Sequence, residues 1–111
     1  MIIKIKDENP RVWGTLSLAM KAGALAVGEG KARDAIRAEK ASLIILSGDA
    51  SANTEKRFLD MANFRNLPIL SFADRYALGR AIGREFAVVA AVCNRGFSDN
   101  IMKILLTDDL K

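Results

Sequence analysis

Leu43-Ile44-Ile45-Leu46-Ser47-Gly48-Asp49-Ala50-Ser51 carries the clearest structural signal in the chain. Four consecutive large apolar residues leave no polar face, the pattern of a strand covered on both sides. Ser47-Gly48-Asp49 breaks the run. A third helix then runs from about Ser51 to Arg65, with Phe58, Met61 and Ala62 at helical spacing. A buried strand feeding a helix is the repeating unit of an α/β protein.

The flanks repeat that unit. Upstream, Asn9 and Pro10 read as the N-cap and first residue of a helix. Val12, Leu16, Ala19 and Met20 make its apolar stripe, and Gly23 ends it. Ala24 to Val27 reads as a short strand. Gly28-Glu29-Gly30 turns into a second helix that reaches about Lys40, with Ala32, Ala35 and Ile36 facing inward. Downstream, Asn66 and Pro68 close the third helix, and Ile69 to Phe72 is a strand. Asp74 caps a short helix that ends at Gly83. Phe86 to Val92 reads as the last and most buried strand. Asn94-Arg95-Gly96 reads as a turn, with Ser98 capping the final helix and Phe97 stapled to Met102. Strands alternating with helices predict mostly parallel pairing in a three-layer α/β/α sandwich of about four strands. Leu43–Leu46 and Val88–Val92 are its expected central strands. Residues 1–8 and 107–111 are expected to be disordered tails, unless Ile2, Ile3 and Ile5 add an edge strand.

The 111 residues suit one domain with a core over about residues 10–106. The longest apolar run, Phe86 to Cys93, falls far short of the roughly 20 residues of a membrane span. Residues 1–6 are too short and charged for the apolar core of a signal peptide, so a cytoplasmic location and no membrane partner are expected. There is no histidine and a single cysteine, Cys93. A metal cluster therefore lacks ligands, and Ser47, Ser51 or Cys93 lacks a histidine base. The expectation is a protein that is not an enzyme and uses no cofactor. A balance of 17 basic against 13 acidic residues gives +4, which permits an anionic partner without demanding one.

Two segments invite a binding reading. Gly28-Glu29-Gly30-Lys31 follows a strand and opens a helix. Arg33 stands where a dinucleotide fingerprint needs a small residue, and Leu25 and Ala32 break the P-loop pattern. What remains is either an ordinary strand-to-helix turn or a helix start whose N–H groups, beside Lys31 and Arg33, suit an anion such as an RNA phosphate. In Leu78-Gly79-Arg80-Ala81-Ile82-Gly83-Arg84-Glu85-Phe86-Ala87, two glycines frame a helix end, with Arg80 and Arg84 four residues apart. The plain reading there is a solvated charged face.

Ala19 to Gly28, Lys40 to Leu46, Ser47 to Ser51, Asn66 to Ile69 and Leu78 to Gly83 follow in an order that resembles the ribosomal protein L7Ae superfamily, over about residues 10–106. The Asp49-Ala50-Ser51-Ala52-Asn53-Thr54 turn and Gly96-Phe97-Ser98 resemble its YlxQ-like bacterial branch. The resemblance implies an α/β/α sandwich that binds the kink-turn of structured RNA, ribosomal RNA included. The sequence does not fix an oligomeric state, and a monomer is the favoured expectation. In that family, a Gly-x-Asn-Glu turn sets an amide against unstacked purines, and a lysine three residues on contacts the backbone. Gly28 matches here, whereas Gly30, Lys31 and Asp34 replace the Asn, Glu and Lys. The family's second contact, the loop before the last strand, falls on Arg84, Glu85, Phe86 and Ala87. Phe86 either stacks on a base, worth roughly 1–3 kcal/mol, or packs in the core. The RNA surface implied is thus Gly28, Glu29, Gly30, Lys31, Arg33, Arg84, Glu85, Phe86 and Ala87. The three replacements favour an alternative, a protein-interaction adaptor that keeps the fold without the RNA site. An enzyme acting on a phosphorylated ligand has only the glycine turn in its favour.

Overall fold

The computed structural model describes residues 2–5, 9–105 and 107. Among these residues ten elements alternate: β1 (Ile2–Ile5), α1 (Pro10–Lys21), β2 (Leu25–Val27), α2 (Glu29–Arg37), β3 (Leu43–Ser47), α3 (Ala52–Arg65), β4 (Ile69–Phe72), α4 (Arg75–Ile82), β5 (Val89–Val92) and α5 (Arg95–Ile104). The strands form one sheet in the order β1-β4-β3-β5-β2. Residues 2–5 pair in parallel with β4 and so supply the edge strand. The expected disorder of residues 1, 6–8 and 108–111 falls outside the described residues.

Every residue of β3 is buried, and its side chains alternate between two cores, as the two-residue period of a strand requires. Leu43 and Ile45 face Val12 and Leu16 of α1, Leu78 and Ile82 of α4, and Ile101 of α5. Ile44 and Leu46 face Ala32 and Ile36 of α2, with Phe58 and Ala62 of α3. Three helices cover one face and two the other, which is the expected sandwich. Each fully buried Leu, Ile or Phe contributes about 1.5–3 kcal/mol relative to exposure.

The pairing is mixed rather than mostly parallel. β3 pairs with β4 in parallel but with β5 antiparallel, and β5 pairs antiparallel with β2. Four strands therefore share one direction and β5 alone opposes them. The cause lies after α4. Arg84 N–H donates to the Gly79 carbonyl at 2.7 Å, and Ala87 N–H donates to the Arg75 carbonyl at 2.9 Å. Residues 84–87 thus run back along the helix they have just left, and the chain regains the end of the sheet where β4 finished. β5 then starts there, at Val89 rather than Phe86, and runs the other way.

Local boundaries differ from expectation where a closer capping group is available. α5 begins at Arg95, because the Asn94 side chain accepts the Phe97 N–H at 3.1 Å. Ser98 lies inside that helix, buried, with its hydroxyl against that of Ser42. α2 stops at Arg37 instead of Lys40, and Glu39 takes a left-handed conformation, φ 59°. Ser51 does cap α3 by accepting the Thr54 N–H at 3.2 Å.

The return of residues 84–87 needs Gly79. A Cβ there would lie 2.5 Å from Phe86 Cα and 2.8 Å from its nitrogen, and backbone atoms cannot rotate away. Gly79→Ala is expected to lower stability by about 1–3 kcal/mol, as overpacking does. Gly30 sits in α2 with open space around its Cα. Gly30→Ala is therefore expected to stabilise by about 0.4–1 kcal/mol through the unfolded chain. Urea denaturation of both variants checks the opposite signs.

A candidate RNA-binding cleft

Antiparallel pairing of β2 with β5 sets Val27 opposite Ala90, so the end of one strand meets the start of the other. The Gly28 N–H extends the ladder by donating to the Val89 carbonyl at 2.9 Å. The two segments singled out from sequence therefore become neighbours. Val27, Gly28 and Glu29 on one side, and Arg84 to Val88 on the other, line a cleft of about 430 Å³.

Gly28 is the N-cap of α2 with φ 100° and ψ 158°, a region open essentially to glycine alone. Its carbonyl accepts the Ala32 N–H at 2.9 Å, and the helix start has no side-chain cap. The first-turn N–H groups at Glu29, Gly30 and Lys31 have no preceding carbonyls to bond within the helix, so they favour an anion. The positive φ belongs to Gly28, and Gly30 has an ordinary helical backbone.

Glu29 faces α3 as well as the cleft. Its carboxylate pairs with Arg57 at 2.5 Å and accepts from the Thr54 hydroxyl at 3.3 Å. Gly30 and Lys31 are exposed in the same turn but do not line the cleft. Arg33 pairs with its neighbour Asp34 at 3.3 Å and lines a different groove, between α2 and α3. Across the cleft, Arg84 and Glu85 are exposed and Ala87 is buried. Phe86 is 55% exposed. Its ring therefore does not serve as core, because β5 begins three residues later and the Phe86 backbone is pressed on Gly79.

The sequence reading missed what steadies this wall. Asp49 is tied to Arg75 at the start of α4. Its Oδ1 accepts the Arg75 N–H at 3.0 Å, its Oδ2 pairs with Arg75 Nε at 3.2 Å, and its carbonyl accepts from the Arg75 guanidinium at 3.0 Å. Arg75 in turn holds Ala87 through its carbonyl. Asp74 is the side-chain cap of α4, accepting from Tyr76 and Ala77 N–H at 2.9 and 2.8 Å. Partial burial raises the Asp49 pKa, but polar contacts from Ser47 and Arg75 and the Arg75 charge outweigh it, leaving the carboxyl below the usual aspartate range. Burial pushes the Cys93 thiol up, which keeps it protonated and a poor nucleophile at neutral pH. Among the described residues, no cluster of three His, Cys, Asp or Glu is placed to hold a metal ion, and no helix is long and apolar enough to cross a membrane.

This fold defines a class. The chain belongs to the ribosomal protein L7Ae/L30e/S12e/Gadd45 family, whose model matches residues 11–102. It is 38% identical over 90 residues to the RNA-binding protein YlxQ of Bacillus subtilis (strain 168), covering 81% of this chain and 90% of that one. It is 31% identical over 100 residues to the RNA-binding protein YlxQ of Enterococcus faecium, covering 90% and 96%. A solved protein of unknown function from Bacillus halodurans C superposes with TM-score 0.83 at 34% identity, over 86% of this chain and 96% of that one. The Giardia lamblia 15.5kD RNA binding protein shares the fold with TM-score 0.75 at 18% identity, over 96% and 94%.

Asp49→Asn tests the brace. A carboxyl whose folded pKa is depressed stabilises the protein above its unfolded value, about 3.9, and this contribution is lost as pH falls through the folded value. The variant is expected to be less stable at pH 7, within the roughly 1 kcal/mol of a solvent-exposed pair. The gap from wild type is expected to close below about pH 4. Urea midpoints for both proteins at pH 7, 4 and 2.5 measure it.

Proposed function

We propose that this protein binds structured RNA at a sharp bend of the kink-turn kind, ribosomal RNA included, through the cleft between the start of α2 and residues 84–87. The observation that carries the reading is the meeting of the Gly28 helix start with an exposed aromatic, Phe86, across one cleft. The L7Ae-family fold and relatives named as RNA-binding proteins support it. Behind the Gly28 turn, Glu29, Gly30 and Lys31 offer N–H groups and the Lys31 cation to the backbone on one side. Arg84, Glu85, Phe86 and Ala87 close the other, with the Phe86 ring free to stack on an unstacked base. Arg33 contributes charge from the second turn. No catalytic step, metal or cofactor enters this reading, and a cytoplasmic monomer is sufficient for it.

The cleft is not strongly basic. Arg84 shares the lining with Glu29 and Glu85, and the Glu29 charge is matched by Arg57. Shape, stacking and backbone N–H groups therefore do more of the holding than net charge. The Arg33–Asp34 pair also gives the adaptor reading its support, because an acid stands where the family has a backbone-contacting lysine.

The test is a titration of wild type, Phe86→Ala, Arg84→Ala and Gly30→Asn against a kinked RNA and a straight duplex at two salt concentrations. Phe86→Ala is expected to cost roughly 1–3 kcal/mol on kinked RNA alone. Arg84→Ala is expected to weaken binding to both RNAs and to reduce the salt slope by about 1. Gly30→Asn restores the family amide on a helical backbone and is expected to sharpen preference for the kink. Equal, weak binding of wild type to both RNAs favours the adaptor. Tight wild-type binding that neither Phe86→Ala nor Arg84→Ala alters overturns the cleft.

A further inference from the structure

A second groove, of about 300 Å³, runs between α2 and α3 and is lined by Glu29, Arg33, Arg37, Arg57 and Asp60 above the buried Phe58. It shares Glu29 with the cleft, so the two concavities adjoin around the first turn of α2. Most of its charges are already matched. Arg57 pairs with Glu29, Arg33 with Asp34, and Asp60 with Lys56 at 3.0 Å. Arg37 makes no hydrogen bond or ion pair among the described residues. The groove therefore holds one uncompensated guanidinium, flanked by two whose exposed pairs are weak and exchangeable. Arg33 and Arg37 are four residues apart on one helix, which sets them about 6 Å apart along its axis.

We infer that this groove takes the ribose–phosphate backbone of the RNA arm that leaves the bend, with Arg37 as its principal phosphate contact and Arg33 and Arg57 beside it. The inference rests on the RNA reading of the cleft and extends it to a second surface. Guanidinium forks match phosphate oxygens with two parallel hydrogen bonds, and Glu29, the acid at the junction of groove and cleft, has its charge matched by Arg57. An RNA helix is the occupant because it can fill both concavities at once. An acidic protein segment would be held by the same charges but has no reason to continue into the cleft.

The probe is a kinked RNA with two long helical arms, together with versions in which each arm in turn is trimmed. Trimming the arm over the groove is expected to weaken wild-type binding, and trimming the other is not. Arg37→Ala is expected to weaken binding to the long-armed RNA about three- to tenfold near 100 mM salt and to lower the salt slope by about 1. It is expected to have no effect on the RNA that lacks the arm over the groove. Arg37→Lys keeps the charge and is expected to keep the slope. Arg84→Ala separates the two surfaces, because it is expected to weaken every RNA. If Arg84→Ala weakens binding but Arg37→Ala changes neither affinity nor slope on the long-armed RNA, the groove assignment is wrong and the cleft stands. If wild type discriminates none of these RNAs, both fall together. Arg37 is exposed in the last turn of α2, and circular dichroism verifies that its variants are folded.

Discussion

Two backbone hydrogen bonds, Arg84 to Gly79 and Ala87 to Arg75, determine how this molecule is arranged. They turn the chain back along α4 and deliver it to the sheet end it had just left. β5 must then oppose its neighbours, and the sheet closes with a reversed strand between β3 and β2. The fold-back is available only because Gly79 lets another backbone approach within the space of a side chain. Its energetic support is unequal along its length. Ala87 is buried in the core beside Leu78 and Ile82, while Arg84, Glu85 and Phe86 are left in solvent.

That unequal burial separates scaffold from candidate surface. One end of the segment anchors to the core, and the other presents a ring and two charges that the core does not need. Opposite it, Gly28 does comparable work with a different device. A backbone conformation closed to other residues ends β2 and starts α2 in one step, leaving N–H groups without a preceding turn to bond. Both walls of the cleft are therefore backbone constructions, and side chains are added to them. Replacement of the family's Asn, Glu and Lys by Gly30, Lys31 and Asp34 leaves the walls standing while changing what they display.

Much of this was legible in the sequence. The run Leu43 to Leu46 announced a doubly covered strand, and Asn9, Ser51 and Asp74 announced helix starts that the structure places where expected. Both candidate loops were found, because a glycine beside a helix terminus marks a turn or a close backbone approach. Three features escaped. The direction of β5 did, because a helix between two strands looks like a crossover until its following loop is known to retrace it. The start of α5 did, because Asn94 and Ser98 are both good caps and only the geometry chooses. The Asp49–Arg75 brace did, because it joins residues 26 apart that no local pattern connects. The family resemblance supplied the candidate surface, whereas the pairing of Glu29 with Arg57 needed the packed helices.

The reversed strand also sets an order of events for a nascent chain. Among the described residues β2 has no strand partner except β5, and its first residue, Leu25, pairs with Val92. When Gly28 leaves the ribosome, the residues that will fix its wall of the cleft have not been made. At about 5–20 residues per second, several seconds separate the two. Long-range pairing of this kind forms late, since its loop entropy must be met before the contact rewards it. β3 and β4, joined by α3 and parallel to each other, can be completed first. The two halves of the cleft then come together in the closing step, so a chain cut short before Arg84 carries the Gly28 helix start without the opposing wall.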